Sequence, residues 1–584
     1  MTKQTKQNKN EYKGFKNFKK TLVFYKKYKL DLVLVAAFTL IGSAAYLFVP
    51  IFTAELITAI TELAIDTAFV AILKVTAFGV LGQIMFLLYA RFAVKVSLKV
   101  KKDMRYFLVG KAMDLRVADF DRKGTGFFVA RFIEDAERIS KVLSESIVEI
   151  SWSLAQAGFI IYIYFMNVYM GLFMTAMVVV LFVCNTIQRR VVNRLQTASK
   201  RQNDIVTSGF NEVLRGVRDI KVLGIKLPIL NRMDGMQTKS FQAEAKADVA
   251  ESTVFRLTEA LKVFLELGFV SLGLFLALNG LLLPAILIIT ILYKDSIMWM
   301  VQSVSEVLTK LTKAEVAAKR LYEVLDGNKG YEYEKFGNKA AKVTRGQIEF
   351  CNVNFNYGEN KLFKNLSFKV APNTTVAIVG KSGEGKTTIF NMLTRAYPHS
   401  VGQILLDGTP IEEFNEPSLR GAISGISQRP YIFDDTFAGN LRLVKPMATM
   451  EEIEKVCKMA HIHDFIITQP NGYETVVGEN GITLSGGQAQ RLAIARVLLS
   501  GAKVMLMDEA TSSLDNESQG KVQRALEELQ GEATILIIAH RLSTIVNCDK
   551  ILVISGGKIV AEGTHTELKE TCKEYQELYA GEEL

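Results

Sequence analysis

The chain has few cysteines for its 584 residues. They are scattered, most lie in the second half, and none forms a Cys-x-x-Cys pair or another spacing typical of metal ligands. The sequence therefore indicates neither a disulfide framework nor a zinc site. The five cysteines are Cys184, Cys351, Cys457, Cys548 and Cys572.

Positive charge is concentrated at one end of the chain. The formal net charge is +10, but ten of the lysines lie within residues 1–29, directly before the first long apolar stretch. Lysine at this position is what the positive-inside rule expects next to anionic lipid, so we expect no nucleic-acid partner. Phe15, Phe18, Leu22 and Tyr25 recur there at helical spacing, which favours a helix in the membrane interface over a plain basic tail.

Six apolar stretches are each long enough to cross a bilayer, which takes about twenty helical residues. On one side the connections Thr53–Asp66, Met166–Val168 and Asn279–Gly280 lack Lys and Arg, whereas residues 95–146 and 188–254 are long and basic. The N-terminus, both long loops and the C-terminal half are therefore predicted to be cytoplasmic. The predicted spans are Leu32–Leu56, Ala68–Val94, Ile147–Met166, Val168–Ile187, Phe255–Leu278 and Leu281–Val301.

A phosphate-binding loop follows in the second half. Residues 380–387 fit G-x4-G-K-[ST] and come directly after a predicted buried strand, Thr375–Val379. Backbone N–H groups of such a loop surround phosphate oxygens. Lys386 is predicted to neutralise the β- and γ-phosphates, and Thr387 to bind Mg²⁺.

Two further apolar strands are predicted to end in polar residues. Lys503–Met507 precedes Asp508 and Glu509, and Thr534–Ile538 precedes His540 by two positions. Asp508 is predicted to hold Mg²⁺, directly or through water.

Between these elements lies Leu484-Ser485-Gly486-Gly487-Gln488, about twenty residues before Asp508. The phosphate loop, this motif and the acidic pair, in this order, resemble the nucleotide-binding domain of an ATP-binding cassette (ABC) protein. With the six apolar stretches before it, nearly the whole chain resembles an exporter-type ABC half-transporter.

The resemblance implies roles for individual residues. Glu509 would polarise the attacking water as general base, His540 would contact the γ-phosphate, and Gln428 would reach Mg²⁺ and the water. The ring of Tyr357 would stack on adenine, although an aromatic residue in a strand is often only part of a core. The implied metal ligands are Thr387, Gln428 and Asp508, and the implied ATP-binding residues are Tyr357, Gly380, Ser382, Gly383, Gly385, Lys386, Thr387, Thr388, Ser485, Gly486, Gly487, Gln488 and Asp515.

The long basic loops resemble the intracellular loops of ABC exporters. Phe120–Gly126 is similar to the first loop, and Glu212–Lys221 is similar to the second. In the family such loops carry short coupling helices that dock on ATPase domains; the alternative is a solvated helical face. Glu479 resembles the exporter X-loop, but Asn480 stands where the family usually has a basic residue.

The motif at 484–488 implies a partner. In the family it caps the γ-phosphate held by another subunit's phosphate loop, so one chain is half a transporter. Because Ser485, Gly486, Gly487, Glu509 and His540 are all intact, a homodimer is favoured over a heterodimer.

Charged residues interrupt the predicted spans. Glu266 and Lys294 each lie fourteen positions from Gly280, which places both near mid-bilayer if the chain turns there. Asp295 adjoins Lys294, and Lys74 lies in the second span. The charges either form a structural ion pair or line a polar cavity that contacts substrate, and the sequence leaves both readings open.

The sequence thus predicts an α-helical six-span membrane domain of exporter type followed by an α/β P-loop ATPase domain of ABC type. The predicted segments are a basic segment at 1–30, a membrane domain at 31–325, a linker at 326–345 and a nucleotide-binding domain at 346–584. The predicted function is ATP-driven export, with ATP and Mg²⁺ as cofactors, of an amphipathic small molecule, lipid or peptide across a bacterial inner membrane. An exporter-fold importer of a chelate-like solute, one half of a heterodimer and an ATP-gated sensor are the alternatives.

Overall fold

The computed structural model describes residues 15–327, 331–340, 342–428, 430–508, 520, 524, 531–538 and 545–580, without the side chains of 284 and 294–298. These residues form two compact units. One contains 15–113 and 125–327, and the other contains 114–124 and 331–580. The first is helical and the second mixes helices with three sheets.

Long helices build the first unit, and they extend past the predicted spans into the basic loops, as helical continuations of those spans. Val168 begins a helix of 48 residues, and the helix that ends at Leu278 has 53. Within the described residues, five helices are long and apolar enough to cross a membrane. The helices are α1 Lys16–Lys26, α2 Lys29–Thr61, α3 Ile65–Met113, α4 Val117–Lys123, α5 Thr125–Val129, α6 Ala136–Met166, α7 Val168–Arg215, α8 Val217–Leu223, α9 Lys226–Leu278 and α10 Pro284–Leu325, with a π-helical turn at Ala130–Asp135 between α5 and α6.

Two of the predicted outer connections are corrected. The connection predicted at Thr53–Asp66 is helical for most of its length, because α2 continues to Thr61 and α3 begins at Ile65. The connection near Gly280 is longer than predicted, since α10 begins at Pro284 rather than at Leu281. Asn167, by contrast, forms the predicted tight turn: its side chain accepts a hydrogen bond from the Met170 N–H and caps α7.

The long helices of the first unit bury some of their apolar side chains and leave others exposed. Met170, Met174 and Leu181 of α7 pack with Phe269 of α9 in one core. Gly82 permits a close approach of α3 to α2, since a Cβ there would lie 2.7 Å from the Tyr46 ring. Large apolar side chains remain exposed outside this core, which is the distribution expected of a surface that faces lipid.

The N-terminal helix α1 packs on the bundle. Phe18 and Tyr25 are buried, and the Tyr25 hydroxyl donates a hydrogen bond of 2.6 Å to the carbonyl of Ile139. The Glu315 carboxylate accepts hydrogen bonds from the backbone N–H groups of Asn17 and Phe18. The predicted helix is therefore present, but its apolar residues Phe18 and Tyr25 contact protein; its position in the membrane interface stays a prediction.

The second unit is built on a six-stranded sheet in the order β12-β11-β3-β10-β9-β6. All its strands are parallel except β12, which pairs antiparallel with β11. A four-stranded antiparallel sheet, β2-β1-β4-β5, covers one face over an apolar core. The strands are β1 Ile348–Tyr357, β2 Asn360–Val370, β3 Thr375–Val379, β4 Val401–Leu406, β5 Thr409–Pro410, β6 Ile423–Ile426, β7 Asp435–Thr436, β8 Val476–Val477, β9 Val504–Asp508, β10 Thr534–Ile538, β11 Lys550–Ser555 and β12 Lys558–Gly563.

Helices pack on the other face of this sheet over a second core. The strands themselves are fully apolar at their centres, as expected of parallel strands covered on both faces. The described helices of the unit are α11 Lys386–Leu393, α12 Glu416–Ala422, α13 Phe437–Arg442, α14 Met450–Met459, α15 His463–Ile467, α16 Gly486–Ser500, α17 His565–Thr571 and α18 Lys573–Ala580, with a 3₁₀ turn at Gly472–Glu474.

Asp407 fixes the entry of the chain into β1. Its carboxylate accepts hydrogen bonds of 3.0, 2.9 and 2.8 Å from the backbone N–H groups of Thr344, Arg345 and Gln347. Burial raises the pKa of Asp407, but these donors outweigh it and hold the pKa below its ordinary value of 3.8.

We expect Asp407→Asn to lower the melting temperature of the second unit at pH 7 by about 2–4 °C, for a loss of about 1 kcal/mol. A depressed carboxyl pKa stabilises the fold above the unfolded pKa and ceases to do so as the pH falls through the folded value. The difference between wild type and variant, followed by calorimetry, should therefore be constant from pH 7 to 5 and shrink below about pH 4. A difference that does not change with pH would contradict this.

Candidate functional site

The predicted site residues follow neighbouring strands at one edge of the parallel sheet. Ile378 of β3 pairs with Ile538 of β10, and Ile538 pairs with Asp508 at the end of β9. Ile426 of β6 pairs with Met507 of β9. Because parallel strands present their carboxyl ends at the same edge, the phosphate loop, Asp508 and the segment containing Gln428 all leave the sheet there.

The phosphate loop has the backbone that its glycines allow. Gly383 and Gly385 have φ of +88° and +91°, a region that side chains rarely adopt. A Cβ at Gly385 would also lie 2.6 Å from the Phe363 ring. Gly385 then caps α11, so Ser382 and the residues after it lead into a helix N-terminus, where backbone N–H groups attract anions.

Lys386 is placed to neutralise phosphate. Its side chain is buried, and its ammonium donates hydrogen bonds of 2.7 and 3.1 Å to the carbonyls of Gly380 and Lys381. The ammonium thus lies over the loop that is predicted to hold the β- and γ-phosphates. Lys381, in the same loop, is exposed and forms an ion pair of 3.3 Å with Glu577.

Tyr357 lies at the end of β1, with its ring partly exposed and its hydroxyl 3.1 Å from the Thr388 hydroxyl of α11. The ring of Tyr397 contacts it edge-on, with 5.4 Å between centroids. A partly exposed ring beside the phosphate loop can stack on a base, so the position suits the role that the resemblance implies for Tyr357.

Tyr397 is a residue that sequence reasoning missed. Its hydroxyl donates a hydrogen bond of 2.7 Å to Asp121, which belongs to the loop similar to a first intracellular loop. Burial and the neighbouring carboxylate both raise the pKa of Tyr397, so the hydroxyl stays protonated and can donate. No local pattern marks Tyr397, because its importance arises from a contact 276 residues away in the sequence.

Helix α4 and the residues around it pack within the second unit. Leu115 forms a β-bridge with Tyr333, and the Arg116 N–H donates to the carbonyl of Glu332. Asp119 accepts a hydrogen bond from the Glu332 N–H. Residues 114–124 therefore belong to the second unit, and their role in coupling stays a prediction.

Asn440 holds the segment that follows Gln428. It is a second residue that the sequence analysis did not identify. Its buried side-chain amide donates to three carbonyls of the segment, and its Oδ1 accepts from the Phe433 N–H. Arg496 of α16 donates to the carbonyls of Tyr431 and Asn440. Burial lowers the pKa of Arg496. This network joins the helix that begins at residue 486 to the segment after Gln428.

The oxygen groups predicted to hold Mg²⁺ are accessible. Thr387 and Gln428 are exposed, and Asp508 is partly exposed. Hydroxyl, amide and carboxylate oxygens are the ligands that this hard cation prefers, usually together with substrate phosphates. The residues present therefore fit Mg²⁺ held jointly with a nucleotide.

The motif at 484–488 caps its own helix. Ser485 Oγ accepts from the Gln488 N–H at 3.3 Å, and Gln488 Oε1 accepts from the Ser485 N–H at 2.8 Å. This capping box fixes the start of α16 and leaves Ser485 and Gly486 exposed, while Gly487 is buried. The helix N-terminus and its N–H groups thus face outward rather than into a core.

Several predicted site residues lie outside the described residues. These are Glu509, Asp515 and His540, and the side chains of Lys294 and Asp295. In the X-loop, Asn480 donates two hydrogen bonds to Asp434, of 3.2 Å from its N–H and 2.6 Å from its side chain. An amide here fixes the loop to Asp434 without adding positive charge.

Glu266 forms an ion pair of 3.6 Å with Lys262 on the same helix, and both side chains are largely buried. Sequence reasoning did not consider Lys262, although it lies in the same predicted span and one turn before Glu266. Lys74 of α3 forms an exposed ion pair of 2.8 Å with Glu55 of the neighbouring helix α2.

A helical unit of membrane-crossing length joined to a P-loop sheet defines a membrane ATPase. Residues 363–512 match the family described as ABC transporter, and residues 32–301 match the ABC transporter transmembrane region. The ATP-dependent lipid A-core flippase of Pectobacterium atrosepticum is 33% identical over 500 residues, covering 83% of each chain. Proteins of the same name from Salmonella typhimurium and Escherichia coli are 34% identical over the same share.

The chain therefore belongs to the ABC transporter family. It is an integral membrane protein of the exporter type that couples ATP hydrolysis to transport.

We expect Lys386→Met to weaken nucleotide binding by about 30-fold or more, because it removes a buried charge from the phosphate site. Lys381→Met is the matched control: it removes the same charge from the same loop, but from an exposed pair, and should change binding by less than about threefold. Binding of a fluorescent ATP analogue to both variants checks this. Equal losses would show that the loop responds to net charge and not to the position of Lys386.

Proposed function

We propose that the protein is a homodimeric exporter that moves an amphipathic substrate across the membrane by alternating access. The single observation that carries the proposal is the exposed, self-capped start of α16 at Ser485 and Gly486. A helix N-terminus that satisfies two of its own donors and points outward has N–H groups left for a phosphate on another molecule. A second copy of this chain would supply that phosphate on its own phosphate loop.

Six spans in each copy complete the membrane domain, with α10 contributing the sixth. The proposed boundaries are 1–30, 31–325, 326–345 and 346–584, with the N-terminus and ATPase domain in the cytoplasm of a bacterium and the spans in its inner membrane. The lysine-rich segment before α2 and the basic residues of the long loops support this orientation.

Two ATP molecules would lie between the two ATPase domains. Lys386 and the loop N–H groups would bind the phosphates, Tyr357 would stack on adenine, and Glu509 would orient water for in-line attack. His540 and the partner's motif at 484–488 would contact the γ-phosphate. Mg²⁺, when bound by Thr387, Asp508 and Gln428, neutralises charge that develops on the phosphates.

Residues 114–124 would couple hydrolysis to transport. They are covalently continuous with α3 and α5 of the membrane domain, yet they pack against the ATPase unit through Tyr333 and Tyr397. A shift of Tyr397 on nucleotide binding would therefore move the ends of two membrane helices. The hydrogen bond between Tyr397 and Asp121 is the most direct link in this path.

A lipid is the cargo class that the relatives support. Their names describe flippases of lipid A-core, and an exposed apolar helix surface gives a lipid direct access to the bundle. The proposal extends to other molecules with an apolar body and a polar head.

The test is Mg-ATP hydrolysis by the purified chain alone in lipid nanodiscs. We expect activity in the wild type and a loss of at least about 100-fold in Glu509→Gln, because the variant removes the general base. Uptake of labelled lipid into inside-out vesicles then tests direction. Accumulation only in right-side-out vesicles would indicate an importer, and ligand-modulated hydrolysis without movement would indicate a sensor.

The shared site predicts complementation between defective copies. A Lys386→Met copy mixed with a Gly486→Glu copy gives a dimer with one site damaged twice and one site intact. We expect this mixed dimer, isolated through two different tags, to regain hydrolysis that neither variant shows alone.

A Lys386→Met copy carrying both tags is the control and should remain inactive. No recovery in the mixed dimer would mean that each site is completed within one chain or by a different partner.

A further inference from the structure

A cavity of about 420 Å³ lies in the helical unit, between α6 and α10. On α6 it is lined by Glu149, Trp152 and Gln156, which share one face at helical spacing. On α10 it is lined by Trp299 and Ser303. Glu149 lies seventeen residues before the end of α6, about 25 Å along the helix, at the cytoplasmic side of the predicted span.

Both tryptophans of the chain line this one cavity. The Trp152 ring is fixed in place: it stacks on Phe86, with 5.6 Å between centroids and 7° between planes, and contacts Tyr46 at 5.7 Å. Trp299 is 69% exposed in the isolated chain, so its ring is available to a ligand. Tryptophan has the strongest attraction of the aromatic side chains for a cation over its face.

One carboxylate among the described residues lines the cavity, and it shares its ammonium partner with a second carboxylate. Glu149 is the only charged residue among the described residues that line it. Lys310 lies 3.7 Å from Glu149 and 3.4 Å from Glu145, so one ammonium faces two carboxylates. Lys310 is therefore shared between Glu149 and Glu145, and Glu145 also interacts with Lys141.

Gln156 and Ser303 add polar atoms to the cavity wall, and both residues are buried. An aromatic wall with a carboxylate at one side suits a large, weakly hydrated cation, whose apolar surface contacts the rings while its charge meets Glu149. A phosphorylated head would instead bring a second negative charge to Glu149 and Glu145.

We propose that this cavity, lined by Glu149, Trp152 and Trp299, binds the cationic head of an amphipathic substrate. The inference rests on the proposed function, because it assigns the substrate class of that transporter. The acyl or aromatic body of such a substrate would lie along the apolar helix faces, and Gln156 and Ser303 would hydrogen-bond polar atoms of the head.

The test uses the two tryptophans as the probe, since no other tryptophan contributes to the emission. Tetraphenylphosphonium is titrated into the purified, nucleotide-free protein in detergent. Tetraphenylborate, which has the same shape and the opposite charge, is the matched control ligand. We expect a saturable change in fluorescence with the phosphonium and none with the borate at equal concentration.

Two glutamine variants separate contact from general electrostatics. Glu149→Gln and Glu145→Gln leave the same net charge around Lys310, but only Glu149 lines the cavity. We expect Glu149→Gln to raise the dissociation constant of the phosphonium at least fivefold and Glu145→Gln less than twofold. Glu149→Asp, which keeps the charge, should recover most of the affinity and show that the glutamine variant is folded.

Equal binding of both ligands, or equal effects of the two glutamine variants, would overturn the inference. So would the absence of a saturable change in the wild type, which is the result expected if a second copy of the chain covers the cavity. Mg-ATP hydrolysis by the wild type in the same preparation tests the proposed function separately. Hydrolysis without phosphonium binding would reject the cavity assignment alone, whereas no hydrolysis would reject the transporter proposal.

Discussion

The parallel pairing of β3, β10 and β9 is the constraint on which the ATPase site depends. It places Ile378, Ile538 and Asp508 in one row, so that the loops after these strands begin at the same edge of the sheet. A shift of one residue in a strand would turn its buried side chains to the opposite face of the sheet. The strands are apolar on both faces and are covered by helices on one side and by the antiparallel sheet on the other.

The features that depend on contiguous residues could be predicted from the sequence alone. The phosphate loop, the strand before it and the ends of the helices at Met166 and Leu278 follow from glycine spacing and from runs of apolar residues. Contacts between residues that are far apart in the chain could not be predicted from the sequence. Tyr397 meets Asp121 across 276 positions, and Asn440 acts through carbonyl groups, which carry no sequence signal. Glu55 lies in the connection predicted at Thr53–Asp66 and pairs with Lys74 on the next helix, a contact that the sequence does not show.

Ion pairs determine which charged side chains of the membrane unit can interact with a ligand. Lys262 and Glu266 compensate each other within one helix, and Lys74 and Glu55 do so between neighbouring helices. Each pair contains one charge of each sign. Glu145 and Glu149 differ because they share one ammonium, that of Lys310. Of these residues, Glu149 lines the cavity.

Helix α10 runs from the cavity to several other contacts within its unit. Trp299 and Ser303 line the cavity, Glu315 holds the N-terminal helix, and Arg320 pairs with the buried Asp135 at 2.5 Å. Trp299 and Arg320 are separated by about 32 Å of continuous helix.

Asp135 ends the π-helical turn that follows α5, close in sequence to the segment 114–124. Burial raises the pKa of Asp135, although the hydrogen bond and the charge of Arg320 oppose the change. A ligand that displaces α10 at Trp299 would therefore also disturb the pair at Arg320.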